Sequence, residues 1–338
     1  MTQAGLELGR LEGLLEAFEG LRLLVVGDVF LDEYLLGDVH RISPEAPVPV
    51  VRVQGESAVL GGAGNVVRNV VALSAGCRFC SVVGDDLAGT RIRALLRELE
   101  VDDAGLVVEE GRPTSRKTRV VARLQQIVRL DRETLDPPRE GSLQRVGEAA
   151  EAALPAVQGL VFEDYAKGLL VPGLIRRLMD GALAAGVPVF VDPKRELDAF
   201  RGAALLKPNA SEAADLAGLA VEGASGLEKV ARRLQERLAG GDIAITRGSA
   251  GMTIFEAARP ALEVAARIQQ VFDVQGAGDT SMAALALALS AGASLREAAV
   301  IANAAAGVVV AKTGTATATR EEVRQGLPAA LAAAKERA

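Results

Sequence analysis

The chain reads as an α/β protein built on one mainly parallel central sheet, with helices on both faces and a small β lid. Three observations predict this. Short apolar runs alternate with segments of helical spacing along most of the chain. Most of these runs are apolar throughout, as strands covered on both faces must be. Two other stretches are charged or flanked by proline, which suits strands outside the main sheet.

The elements follow in order. Residues 21–26 form a short apolar run closed by Gly27-Asp28, a first strand. Residues 65–73 have helical spacing and stop before Gly76; residues 77–83 make the next strand and 88–98 the next helix. Residues 160–162, 187–191, 203–206 and 243–246 are apolar runs bounded by turn residues. Between them, 171–185, 210–217 and 226–239 carry helical spacing. Residues 281–290 are almost all Ala, Leu and Met, a buried helix. The breaks in rhythm are residues 48–53, preceded by Pro44 and Pro47, and residues 117–130, with mixed alternation and many charges. Both read as antiparallel lid strands. Residues 135–141 read as a surface loop, and Ala-rich 329–338 as a terminal helix. No long linker interrupts the chain, so residues 1–338 read as one domain, with lid strands near 33–60 and 112–131.

Composition narrows the function. The 338 residues are 49% apolar and 24% charged, ample for a large core. Net charge is -6 and basic residues are dispersed, which argues against nucleic acid as a partner. No run of 18 apolar residues is free of charges or breakers, and residues 1–20 lack a basic and apolar leader. A soluble cytoplasmic protein without membrane contact is expected. The two cysteines, Cys77 and Cys80, lie on one strand, where positions three apart face opposite sides; a structural role is expected. The only histidine is His40, so zinc chemistry based on several histidines is excluded by count.

The most informative stretch is Phe272-Asp273-Val274-Gln275-Gly276-Ala277-Gly278-Asp279-Thr280. Small residues feeding a helix start leave backbone N–H groups free to face an anion, and the helix dipole adds partial positive charge. Asp279 stands where a carboxylate could take a proton. Phosphate cradle plus base suggests phosphoryl transfer to a hydroxyl. The alternative is Asp279 as an ordinary helix cap.

Other motifs sit after predicted strands, on the edge where open α/β sheets bind ligands. Asp28 and Asp32 follow the first, and Asp32 could accept two sugar hydroxyls. Gly61-Gly62-Ala63-Gly64-Asn65 permits close backbone approach or simply a tight turn. Asn209 and Glu212 could position magnesium-bound water or cap a helix. Thr246-Arg247-Gly248 suits a polyphosphate. Glu163-Asp164-Tyr165-Ala166-Lys167-Gly168 and Asp192-Pro193-Lys194 each couple an acid with a lysine, as ion pairs or ligand contacts. Arg119, Arg123 and Arg129 suit a solvated face, with one of them able to reach a substrate phosphate.

Gly61-Gly62, Asn209-x-x-Glu212, Thr246-x-Gly248 and Gly276-Ala277-Gly278-Asp279, in that order, resemble the motif series of the ribokinase-like (PfkB) carbohydrate kinases, over about residues 20–325. Within that family the chain is similar to kinases of D-glycero-β-D-manno-heptose 7-phosphate. Residues 41–50 (RISPEAPVPV), 125–131 (QQIVRLD), 164–168 (DYAKG) and 302–310 (ANAAAGVVV) carry that likeness. The resemblance implies a ribokinase-like fold and Mg-ATP-dependent phosphorylation at the sugar 1-hydroxyl. Asp279 would be the base, and Gly276, Ala277 and Gly278 the anion hole. Asn209 and Glu212 would organise Mg-ATP, Glu212 through water. Thr246, Arg247 and Gly248 would meet ATP phosphates, and Asn303 would lie by the adenine. Asp32, Gly61, Gly62 and Asn65 would hold the sugar. Asp164, Lys167 and Lys194 would be ligand contacts, and Arg41, Lys117 and Arg119 are candidates for the sugar's own phosphate. A monovalent cation near the Gln275 loop and a homodimer through the lid are further expectations.

The chain departs from the family pattern at Gln275, where Thr is usual, at Glu163, where Ser is common, and at Leu124, where Asn is usual. The nucleotidyltransferase unit of bifunctional relatives is expected to be absent. Another sugar-phosphate kinase, of fructose or tagatose type, and a non-catalytic sugar- or nucleotide-binding regulator are the alternatives.

Overall fold

The computed structural model describes residues 6–123, 125–221, 223–257, 259–266 and 274–336. In chain order the strands are β1 Arg22–Gly27, β2 Val29–Ile42, β3 Pro49–Gly62, β4 Gly76–Gly84, β5 Leu106–Glu109, β6 Arg116–Ala122, β7 Gln125–Arg132, β8 Gly159–Glu163, β9 Val189–Asp192, β10 Leu205–Leu206, β11 Asp242–Thr246, β12 Met252–Phe255, β13 Leu262–Val264 and β14 Ala334–Glu336. The helices are α1 Leu8–Ala17, α2 Ala63–Ala72, α3 Leu87–Glu98, α4 Glu140–Ala153, α5 Pro172–Ala185, α6 Ala210–Ala217, α7 Gly223–Leu238, α8 Ala277–Ser290, α9 Leu295–Val310 and α10 Arg320–Ala333.

Ten strands form one sheet in the order β14-β13-β12-β11-β10-β9-β8-β1-β4-β5. From β11 through β5 every neighbouring pair is parallel; β12, β13 and β14 are antiparallel. Alternate residues of one strand feed two cores. Leu23 and Val25 of β1 pack with α1, α2, α3, α8, α9 and α10. Leu24 and Val26 pack with α4, α5, α6 and α7 on the other face. Both faces are therefore dry, which is why the parallel strands have no polar alternation. Helix α8, apolar all round, is buried along almost its whole length, as such a helix must be.

Local signals mark the helix ends. Asn209/Glu212, Ser294/Glu297 and Thr319/Glu322 form reciprocal capping boxes at α6, α9 and α10. Pro172 opens α5, and Gly186 closes it in the left-handed conformation.

A second sheet, in the order β3-β2-β6-β7, contains both segments that break the apolar rhythm. Two expectations need correction here. Residues 117–130 are not one strand but a hairpin, β6 and β7, turning at Arg123 (φ 49°); Leu124 lies outside the described residues. The sheet is also not purely antiparallel, because β2 runs parallel to β6. The chain reaches β6 from β2 by way of the main sheet, so no hairpin forces them to oppose.

The C-terminal expectation of a helix over 329–338 holds only to residue 333. Helix α10 stops at Ala333, and residues 334–336 extend along the open edge of β13. Pairing with an exposed strand edge satisfies backbone groups that a continued helix would leave there unmet. The loop expected at 135–141 ends earlier, since α4 begins at Glu140.

Candidate active site

The order in which strands are laid down reverses at β1, with β4 and β5 on one side and β8 to β11 on the other, all parallel. Ligands of open α/β sheets bind at such switch points, outside the C-terminal strand ends. The strand ends here supply Asp28 after β1, Glu163 closing β8, Asp192 closing β9, Lys207 after β10 and Thr246 closing β11.

Asp279 lies in the first turn of α8 and is 5% exposed. It is not the helix cap. Gly276 takes that position, in the left-handed conformation (φ 78°). A side chain there would also be strained by contact, because its Cβ would fall 2.7 Å from Asn65 Nδ2. The Asp279 carboxylate turns instead to two donors: Asn65 Nδ2 donates to Oδ2 at 2.7 Å, and Tyr165 Oη donates to Oδ1 at 2.7 Å. Arg68 Nη1 donates to Asn65 Oδ1 at 2.9 Å, which orients the amide with its nitrogen toward Asp279. Burial raises the Asp279 pKa from 3.8 to about 6; the Asn65 and Tyr165 bonds oppose the rise and Asp192 adds to it.

Tyr165 is presented by a loop that Asp28 folds. The Asp28 carboxylate accepts from the backbone amides of Tyr165, Lys167 and Leu169. Asp164 does similar work, accepting from the amides of Ala166, Lys194 and Arg195. The acid–lysine couples expected within 163–168 and 192–194 do not form. Lys167 Nζ pairs with Glu133 at 2.7 Å, Lys194 pairs with Glu212, and Asp192 pairs with Lys207 at 2.6 Å. Lys207 is 2% exposed. Burial alone would lower its pKa, but the carboxyl groups of Asp192 foremost, then Glu163 and Asp279, together more than reverse this, so the ammonium is held charged. A Cβ on Gly278 would lie 3.9 Å from its Nζ, so this cation sits directly beneath the small-residue turn.

The same turn lines a cavity of about 580 Å³, shared by Ala277, Gly278, Asn209, Thr246, Gly248 and Asn303. Asn209 and Thr246 are joined by a backbone bridge, and Asn303 Nδ2 donates to Ala265 O at 3.1 Å. Arg247 turns away to Glu263 and the carbonyl of Ala250. Among the described residues no group of three or more His, Cys, Asp or Glu side chains is gathered to cage a metal. Glu212 spends its carboxylate on capping Asn209 and on Lys194. This donor set suits a magnesium ion that arrives on nucleotide phosphates and keeps its water, which is the ion's usual preference. Of the stretch around Gln275, near which a monovalent cation is expected, Phe272 and Asp273 lie outside the described residues.

On the other side of Asp279 stand the candidates for the sugar. Phe30 meets the Tyr165 ring edge-on, with centroids 5.2 Å apart. Gly61 and Gly62 pass over Phe30 where a Cβ on Gly61 would come within 2.3 Å of the ring. Asp32 is buried and pairs through Oδ1 with Arg119, whose guanidinium lies 5.5 Å from the Tyr34 ring centroid. Lys117 Nζ reaches Asp131 at 3.1 Å and Glu133 at 3.4 Å. Arg41 is exposed at the far end of β2. His40, also exposed there, and the cysteines take no part. Both cysteines are free, and burial pushes the Cys80 thiol up to about 12 and Cys77 higher still.

Residues 22–322 match the pfkB family of carbohydrate kinases. The chain belongs to that family. It is thus an ATP-dependent sugar kinase. It is 42% identical over 311 residues to the bifunctional protein HldE of Desulfatibacillum aliphaticivorans, covering 92% of the chain and 64% of that relative. It is 45% identical over 309 residues to the bifunctional protein HldE of Caulobacter vibrioides, covering 91% and 63%. The chain therefore spans a little under two thirds of these relatives. Among solved structures, Arabidopsis thaliana ribokinase complexed with ribose and ATP superposes with a TM-score of 0.71 at 20% identity, covering 91% of this chain and 98% of that one. Escherichia coli phosphofructokinase-2 in complex with substrates and products gives 0.76 at 19% identity, covering 92% and 99%. These likenesses show the ribokinase-like fold. Among the described residues of this kinase no helix is long and apolar enough to cross a membrane.

Tyr165 and Lys207 are site residues that the sequence reading misses as such. The signal for each is its place just beyond an apolar strand run, Tyr165 after β8 and Lys207 after β10.

Proposed function

We propose that this kinase transfers the γ-phosphoryl group of ATP to the 1-hydroxyl of D-glycero-β-D-manno-heptose 7-phosphate, giving the 1,7-bisphosphate, in the cytoplasm and on the route to ADP-heptose for the lipopolysaccharide core. The observation that carries the reaction is Asp279, buried between Asn65 and Tyr165 at the edge of a cavity shared by the small-residue turn and the nucleotide motifs. What supports the sugar is the likeness of residues 41–50, 164–168 and 302–310 to heptose kinases, together with the HldE relatives.

Asp279 accepts the proton of the attacking hydroxyl. A carboxylate has about four acceptor sites, so Asn65 and Tyr165 leave room for that hydroxyl. Gly276, Ala277 and Gly278 would form the anion hole for the transferring phosphoryl group, with the Ala277 N–H first leaving its bond to Val274 O, and Lys207 beneath them adds fixed positive charge. Magnesium, when bound with ATP, neutralises phosphate charge; Asn209 and Glu212 would orient its water. Thr246 and Gly248 contact the phosphates and Asn303 the adenine side. The sugar lies over Phe30, Gly61 and Gly62 beside Asp32, whose hydroxyl-accepting edge Arg119 steadies. Arg119 is committed to the buried Asp32, so the 7-phosphate falls to Lys117 and Lys167, where it would replace their ion pairs with Asp131 and Glu133. The β3-β2-β6-β7 sheet acts as the lid that excludes water, within a single domain. We further propose that two copies pair through this sheet.

The test is ADP release with Mg-ATP and a panel of heptose 7-phosphate, fructose 6-phosphate, tagatose 6-phosphate, ribose and fructose. Heptose 7-phosphate is expected to lead, with phosphorus NMR showing the 1,7-bisphosphate; preference for another sugar overturns the substrate. Asp279→Asn is expected to bind ATP normally and lose about 10²–10⁴-fold in turnover. Near-normal turnover by that variant would sink the assignment of the base.

A further inference from the structure

Glu163 ends β8 and is 1% exposed. Its Oε2 is buried with no hydrogen-bond partner among the described residues. Such an orphan is rare in native interiors, because a carboxylate without partners keeps the full penalty of leaving water. Strand register sets Glu163 between Gly27 of β1 and Asp192 of β9. Gly27 cannot carry a side chain here, since its Cβ would fall 2.2 Å from the Glu163 carbonyl oxygen.

The charged and titratable groups facing Glu163 come from every neighbouring element. They are Asp192 from β9, Asp279 from α8, Tyr165 beyond β8, Lys194 beyond β9 and Lys207 beyond β10. Three carboxyl groups therefore surround one buried ammonium, Lys207, which is already paired with Asp192. Asp279 has two hydrogen-bond donors. Lys194 is partly exposed and tied to Glu212. Lys207 and Lys194 act on Glu163 only from a distance, and among the described residues no other cation faces it.

We propose that Glu163 is a positioning residue that holds a proton in the working enzyme, leaving Asp192 and Asp279 as the only anions around Lys207. Burial, with Asp192 and Asp279 beside it, pushes the Glu163 carboxyl well above the usual range. Once it ionises at alkaline pH, a third anion stands under the turn that receives the phosphates. Mg-ATP affinity then falls. The inference rests on the reading of this turn as the phosphate cradle beside Asp279.

The test pairs infrared difference spectra of the ligand-free enzyme with calorimetric Mg-ATP affinity across pH. A carboxylic-acid carbonyl band that persists above neutral pH and is missing from Glu163→Gln is expected. Mg-ATP Kd of the native enzyme is expected to weaken about tenfold per pH unit through the range where that band vanishes. Glu163→Gln and Glu163→Ser, both permanently neutral, are expected to lose that fall. The same alkaline fall in both variants overturns the proposal. If neither folds, the native spectra decide alone: no acid band titrating above neutral pH overturns it. The spectra need no substrate, so they stand apart from a failure of the Asp279 assignment, which Asp279→Asn reports.

Discussion

Asp279 is held by two donors that differ in what they can be made to do. Asn65 belongs to α2 and is itself fixed by Arg68, so its bond is part of the packing between α2 and α8. Tyr165 comes from a loop and contributes only its hydroxyl. Tyr165→Phe removes that donor while keeping the ring against Phe30. A hydrogen bond to a carboxylate is worth about 1.5–3 kcal/mol, and about 1.4 kcal/mol equals one pKa unit. With Asp279 as the proposed base, the acid limb of turnover is expected to follow its protonation as pH falls through about 6. In Tyr165→Phe this limb is expected to move up by about one pH unit, with turnover at pH 8 affected far less. A pH profile of kcat with an unmoved limb refutes the role. The stability sign is the opposite of the usual carboxylate. The folded pKa lies above the ordinary 3.8, so the contribution of Asp279 is full below about 4 and lost as pH rises through about 6.

At the scale of elements, the N-terminus of α8 works because Gly276 lets the chain turn without touching Asn65. Gly276→Ala places a non-glycine residue at φ 78° and a methyl 2.7 Å from Asn65 Nδ2. Asn65 must then shift, carrying the donor that fixes Asp279. Misplacement of about 1 Å can lower a rate about 10²-fold, so turnover is expected to fall by about that factor. Backbone strain of about 1–3 kcal/mol lowers the thermal midpoint. Full turnover with a lowered midpoint separates strain from catalysis and refutes the Asn65 link. Element position also governs what is legible in the sequence. Gly276 to Asp279, Asn209 and Thr246 are readable because small or polar residues follow an apolar run within a few positions. Tyr165 is not, since it meets Asp279 across 114 positions and only folding pairs them. Lys207 reads as an unlikely core residue until Asp192 is beside it. Strand β2 falls within the lid bounds 33–60 but is not set out as a strand of its own, because its outer half is polar, as a strand with one wet face must be. The edge strand 334–336 escapes because Ala-rich sequence favours helix, and only the open side of β13 overrides that.

The whole molecule presents two surfaces of different kinds. The ten-stranded sheet is covered on both faces by helices. The four-stranded sheet has β3 and β7 as open edges, and it exposes Leu36, Ile42, Val53, Val128 and Leu130, with Val48 exposed in the turn between β2 and β3. Exposed strand edges with apolar side chains tend to associate unless blunted. A second copy of the same sheet is a self-complementary solution, since a two-fold axis brings the same patch to both partners. The proposed dimer therefore belongs to the lid and not to the helical faces. Light scattering is expected to give twice the chain mass of 35.0 kDa for the native protein. Leu130, 55% exposed on β7, is the residue to test. Leu130→Asp is expected to give the single-chain mass at micromolar concentration. Because β7 pairs with β6, which carries Lys117 and Arg119, the same variant is expected to raise KM for the sugar phosphate several-fold more than KM for ATP. A native protein of single-chain mass refutes the dimer. A monomeric variant with both KM values unchanged separates pairing from sugar binding and confines the lid's role to a single copy.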